Sequence, residues 1–196
     1  FSVLMRDIRG YMDAELPLYI SLAILLSLAA MLLTLESSVL PFAFLANIGL
    51  AVAYNMGSNM FIGEISYVTQ ALAAVLQLAV TMDYSIFLYH RYSEERTRYD
   101  DHRDAMSVAV KAAFSSLSGS ALTTISGILA LCFMQFSLGL NIGIVMAKGV
   151  ILGVLTVITV LPSMLLLLDN KIQKHTHKNF IPDTSKLTAF IIKHRT

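Results

Sequence analysis

The chain has 196 residues, of which 56% are hydrophobic and only 14% charged, with a net charge of +1 and a mean hydropathy of +0.69. A soluble domain carries about a quarter of its residues as charges, so this composition excludes an ordinary soluble domain, indicates a helical membrane protein, and gives no reason to expect nucleic acid as a partner. Cys132 is the single cysteine, which excludes an intrachain disulfide and a thiolate metal cluster built from this chain alone.

Residues 1–15 interleave Arg6, Asp7, Arg9, Asp13 and Glu15 with Phe1, Val3, Leu4, Met5, Ile8 and Met12, the spacing of an amphipathic helical lead-in. Residues 16–35 form the first apolar run, long enough to cross a hydrocarbon core of about 30 Å. Pro17 stands near its start, where a missing N–H is harmless. Glu36-Ser37-Ser38 leaves room only for a tight turn, so the second span, 39–55, must run antiparallel to the first. Asn55-Met56-Gly57-Ser58-Asn59 closes it with turn-forming residues.

The third span, 67–90, contains Gln70, Gln77 and Asp83. A charge-rich connector, 91–111, follows, and its Glu94-Glu95-Arg96 and Asp100-Asp101 read as an exposed, charge-balanced helix or turn. The fourth span, 108–135, is rich in Ser, Thr and Gly. The fifth, 139–168, contains Lys148 and Pro162, which is expected to kink it. Residues 169–196 form a basic tail whose apolar stretch 187–192 reads as the approach to a further span, with a surface-lying amphipathic helix as the alternative. The expected fold is all-α, a polytopic membrane bundle of five transmembrane helices. The loops 55–66 and 135–141 carry no Lys or Arg, whereas the connector and tail carry most of them, which assigns the latter to the cytoplasm; Arg6 and Arg9 are the exceptions.

Asp83 is the residue most in need of explanation. It lies about 12 Å into the third span from the end near Arg91, too deep for a short side chain to reach water. A carboxylate at membrane depth costs on the order of 3 kcal/mol or more, and such groups mark ion or proton paths by default. Tyr84 points about 100° away and joins the same polar layer from a neighbouring interface. On the fourth span Ser116, Ser120, Thr123 and Thr124 lie on one broad face of small polar residues. Such faces let helices approach closely, and Ser116, Ser120 and Thr123 fall near the depth of Asp83. Lys148 leaves two readings open, a charge partner that reaches down to Asp83 or a side chain that snorkels to the far interface. His175 and His177 supply too few ligands for a metal site. No nucleophile elbow, phosphate loop or zinc spacing appears, so neither an enzyme nor a metal or other cofactor is expected.

The run from Met82 to Leu88, followed by Arg91-Tyr92 and Glu94-Glu95, resembles the Asp-Tyr helix of the MmpL-type branch of the resistance-nodulation-division superfamily. The resemblance extends to residues 118–127 (Ser-Gly-Ser-Ala-Leu-Thr-Thr-Ile-Ser-Gly), to Gly149-Val150 through Leu161-Pro162-Ser163, and to Leu35-Glu36-Ser37-Ser38-Val39-Leu40-Pro41. It implies helices two to six of a six-helix half, in a bacterial cytoplasmic membrane. It also implies an exporter of lipids or other hydrophobic or amphiphilic compounds driven by protons, with Asp83 and Tyr84 in the proton relay. The expected partners are protons, membrane lipids, the transported compound, and the second half and extracytoplasmic domains of the same transporter, which the resemblance places outside these residues. Two other classes share the bundle: a sterol-sensing-like regulatory module that binds lipid, and a protein-export accessory similar to SecD and SecF. Tyr84 and the Glu94-Glu95 pair argue against the latter.

Overall fold

The computed structural model describes residues 2–61, 63, 65–135 and 137–174. The histidine pair and apolar stretch of the tail, and the side chains of the lead-in before Glu15, lie outside the described residues. Five helices, α1 (Ser2–Thr34), α2 (Leu40–Gly57), α3 (Tyr67–Arg96), α4 (His102–Leu129) and α5 (Ser137–Lys174), alternate in direction, with short 3-10 turns at Ser58–Phe61 and Ala130–Phe133. There is no strand among the described residues, and all five helices are long and apolar enough to cross a membrane. The turns after α1 and α3 and the end of α5 lie at one end, rich in Arg and Lys and called here the basic end. The two 3-10 turns lie at the far end.

Three boundaries differ from the sequence reading. The lead-in and first span are one continuous helix, so Pro17 sits deep inside α1 rather than in its first turn, where it denies the Asp13 carbonyl an intrahelical donor. The connector is mostly helix. Asp101 caps α4, its side chain accepting from the Arg103 N–H at 2.9 Å and starting the helix six residues before position 108. The true turn is 97–101. α5 runs past position 168 to Lys174 and ends on Lys171 and Lys174, whose charges suit the negative end of the helix dipole.

α5 is the central element, packed against α2, α3 and α4. Glycines explain why α2 and α3 approach it so closely. A Cβ at Gly149 would stand 2.7 Å from Asn55 Nδ2 and 3.1 Å from Gln77 Oε1, and one at Gly153 would stand 2.6 Å from Thr81 Oγ1. Towards the basic end the seam becomes apolar, with Leu40, Phe44, Leu88, Val157, Leu161 and Leu165 fully buried. Among its described side chains α1 joins this core near the basic end, through Met31, with Leu35 just beyond it, while Leu18, Leu22, Leu25 and Leu26 are exposed.

The connector's charges are not all exposed, contrary to the sequence reading. Glu95 is buried and holds Arg98 at 3.1 Å. Asp169, 7% exposed, collects the Tyr92 hydroxyl at 3.4 Å, Arg96 at 3.4 Å and Gln173 at 2.8 Å, with His102 Nδ1 at 3.7 Å. One carboxylate on α5 therefore ties together the ends of α3 and α4. Asp169→Ala is expected to destabilise the bundle by about 2 kcal/mol, below the 3–5 kcal/mol of a fully buried pair because Arg96 keeps some contact with water. Thermal unfolding in detergent measures this, and an unchanged midpoint would contradict it.

Candidate functional site

α3 presents Val80, Asp83, Tyr84 and Phe87 at helical spacing, and α4 presents Ser116, Leu117, Ser120 and Thr124 opposite them. Between the two faces lies a cavity of about 360 Å³ lined by these eight residues. At roughly 30 Å³ per molecule this is space on the order of ten waters. Val80, Phe87 and Leu117 make apolar walls, so the polar groups in the cavity are few and converge.

Asp83 is exposed at the cavity's edge, and its carboxylate has neither a hydrogen bond nor an ion pair among the described residues. Tyr84 is 6% exposed, and its hydroxyl has no hydrogen-bond partner. On α4 Ser118, Thr123, Thr124 and Ser126 spend their hydroxyls on their own helix, as when Thr124 donates to the Ser120 carbonyl at 3.0 Å. Ser116 and Ser120 make no such bond, which leaves their O–H groups free to donate to the carboxylate directly or through water. Among the described residues the site thus sets one acid against uncharged donors, and the charge of Asp83 is answered only by hydroxyls and by whatever enters the cavity.

Of the residues singled out from sequence, Asp83, Tyr84, Ser116, Ser120 and Thr124 meet in this cavity. Thr123 does not. It is exposed and donates to the Gly119 carbonyl at 3.0 Å, because one residue of helix turns it about 100° from Thr124. Lys148 is also elsewhere. Its ammonium donates to the Asn55 carbonyl at 3.0 Å and to Asn59 Oδ1 at 2.5 Å, so it caps the far end of α2, where helix carbonyls lack intrahelical partners. It does not pair with Asp83; its ammonium lies towards the far end, the direction of the snorkelling alternative, and is held there by protein atoms. Beside it Asn55 donates to Gln77 at 2.8 Å, and Gln77 donates to the Gly149 carbonyl at 3.2 Å. This network locks α2, α3 and α5 together. Sequence reading noted Gln77 without giving it a role; the helical alignment of Asn55 with Asn47 on α2, and of Gln77 with Thr81 on α3, was the available signal.

The described residues hold no group of three or more His, Cys, Asp or Glu able to bind a metal. A second groove of about 200 Å³ runs between α4 and α5 on the other side of α4, lined almost wholly by apolar side chains including Phe114, Leu122, Ile151 and Leu155.

A family model, that of the MMPL family, matches residues 1–186. The chain is 32% identical over 117 residues to ActII-3 of Streptomyces coelicolor, which is named as a membrane protein; the match covers 60% of this chain and 16% of that one. It is 24% identical over 169 residues to the "probable transport protein MmpL4" of Mycobacterium leprae, covering 84% of this chain and 18% of that one. With MJ1562 of Methanocaldococcus jannaschii, also named as a membrane protein, it shares 33% identity over 92 residues, 47% of this chain and 24% of the other. The aligned chain spans about a fifth of the length of these relatives.

Proposed function

The chain belongs to the MMPL family of multi-pass membrane proteins, and from that premise we propose that it is the transmembrane part of an exporter of lipids or other hydrophobic or amphiphilic compounds, driven by protons, in a bacterial cytoplasmic membrane. The observation that carries the reading is the cavity in which Asp83 meets two free hydroxyls and no counter-charge. Ionised, the carboxylate draws donors from Ser116, Ser120 and water. Protonated, it needs far fewer of them, and α4 is free to move relative to α3. Tyr84 forms the buried wall of the same relay. The change of charge is thereby converted into a change of helix packing, which moves the parts that handle the substrate.

The exposed side of the site supports partners in the same transporter. Asp83, Ser116, Ser120 and Thr123 are all exposed, so the α3–α4 cavity stands open on one side. Hydrocarbon cannot satisfy them, so the second half of the transporter is the covering element in this reading. The clustering of Arg91, Arg96, Arg98, Arg103, Lys171 and Lys174 supports placing the basic end in the cytoplasm. Transport is tested with the full-length protein in vesicles under an imposed proton gradient. Export that rises with the gradient and collapses with a protonophore supports the proposal, and export indifferent to the gradient overturns it. The apolar groove between α4 and α5 favours one other reading, a module that binds a lipid without transporting it, for which lipid binding would be unaffected by the gradient.

A further inference from the structure

The seam between α2, α3 and α5 holds a second polar layer, separate from the Asp83 cavity. The bond from Asn55 to Gln77 fixes how the antiparallel α2 and α3 align. Eight residues towards the basic end, about 12 Å, Asn47 on α2 stands level with Ser85 on α3. The edge-to-face contact of Phe44 with Tyr89, at 6.1 Å, confirms the alignment one turn further on. Gly149 lies against Gln77 and Gly153 against Thr81, so the same step on α5 reaches Val157, beside Thr156. Asn47, Thr81, Ser85 and Thr156 are all at least nine-tenths buried.

Their hydrogen bonds do not close. Ser85 donates to the Thr81 carbonyl at 2.8 Å and Thr156 to the Gly153 carbonyl at 3.0 Å, so both hydroxyl protons are spent within their own helices. Asn47 has no partner for either its Nδ2 or its Oδ1, and Thr81 Oγ1 has none either. A buried amide without partners costs several kcal/mol, and in a membrane no bulk solvent relieves it. The missing partner must both donate, to Asn47 Oδ1, and accept, from Asn47 Nδ2 or the Thr81 hydroxyl. A metal cation offers no donor, an ammonium no acceptor and a simple anion no proton; a water molecule both donates and accepts.

We infer that Asn47 and Thr81 bind an internal water in the α2–α3–α5 seam. It lies at nearly the depth of Asp83 but on the opposite face of α3, since Thr81 and Ser85 each stand two residues, about 200° of helix, from Asp83. α3 is therefore hydrated on both sides at one level, and a small displacement of the helix exchanges water contacts instead of breaking direct protein bonds.

X-ray radiolytic labelling of the full-length protein in lipid nanodiscs tests this, because radicals formed from a bound water mark the buried side chains beside it. Relative to the intrinsic radical reactivity of each side-chain type, Phe44 and Ile48, at 0% and 1% exposure, are expected to label at least about threefold faster than Val145 and Leu165, which are as deeply buried but distant. Asn47→Leu is expected to remove the excess without lowering the unfolding midpoint, since it leaves no unpaired amide. Labelling of Phe44 and Ile48 no faster than the controls overturns the inference, as does an excess that survives N47L. Should N47L fail to accumulate, Thr81→Val is read the same way.

Discussion

Asp83→Asn in the full-length protein is expected to reduce proton-driven export to the level of protein-free vesicles while leaving folding and membrane insertion intact. The substitution keeps size and shape and removes only the ability to take up and release a proton. The cavity's hydroxyls can satisfy an amide as well as a neutral acid, so no new unpaired group is created. Nor is stability expected to fall, because no described cation loses a partner and a charge at membrane depth is costly in itself. Loss of transport in a protein that unfolds at the wild-type temperature isolates the proton step from structural damage. Export at the wild-type rate, still following the gradient, would remove Asp83 from the mechanism.

The second large effect is expected at Gly153. A methyl group there would meet Thr81 Oγ1 at 2.6 Å, closer than atoms can stand, and the branched Thr side chain has few helical rotamers into which to retreat. α3 or α5 must then move, at a cost of about 1–3 kcal/mol for Ala and more for Val. The damage does not stay local, because Thr81 is two residues from Asp83 and any shift of α3 changes the width of the cavity. Gly153→Val is thus expected to lower both the unfolding midpoint and export. Gly119 on α4 is the control. A Cβ there meets nothing within 4 Å, so Gly119→Ala is expected to be neutral or to stabilise by about 0.5–1 kcal/mol through the lower backbone freedom of Ala. Equal unfolding midpoints for the two variants would contradict the packing argument.

These cases show which parts of the molecule can be read from its residues. Five helices were legible because each is an apolar run of membrane length. The grouping of Asp83 with Ser116 and Ser120 followed from helical periodicity together with matching depth in two antiparallel spans. What periodicity cannot supply is the rotation of one helix about its axis relative to its neighbour, and that rotation excludes Thr123 while admitting Thr124. Lys148 posed a different difficulty. Its depth was measured along one helix, whereas its partners are a carbonyl and an amide at the end of α2, and the alignment of α2 with α5 depends on glycine contacts visible only once the chain is folded. Pairs such as Arg91 with Glu94 and Glu95 with Arg98 have the local spacing of a solvated face. Asp169, more than seventy residues further along the chain, meets one side of that segment through Tyr92 and Arg96.

The uninterrupted α1 has a mechanical consequence. Its 33 residues extend about 50 Å at 1.5 Å per residue, some 20 Å more than a hydrocarbon core needs, and among its described side chains only Met31, near one end, is fully buried. Pivoting at the Met31 contact, a tilt of about 10° would carry its opposite tip through about 9 Å. Pro17, roughly 26 Å from the Thr34 end, marks the place where such an arm bends most easily. A tilt of a few degrees at the basic end would thus be magnified at the other end of α1.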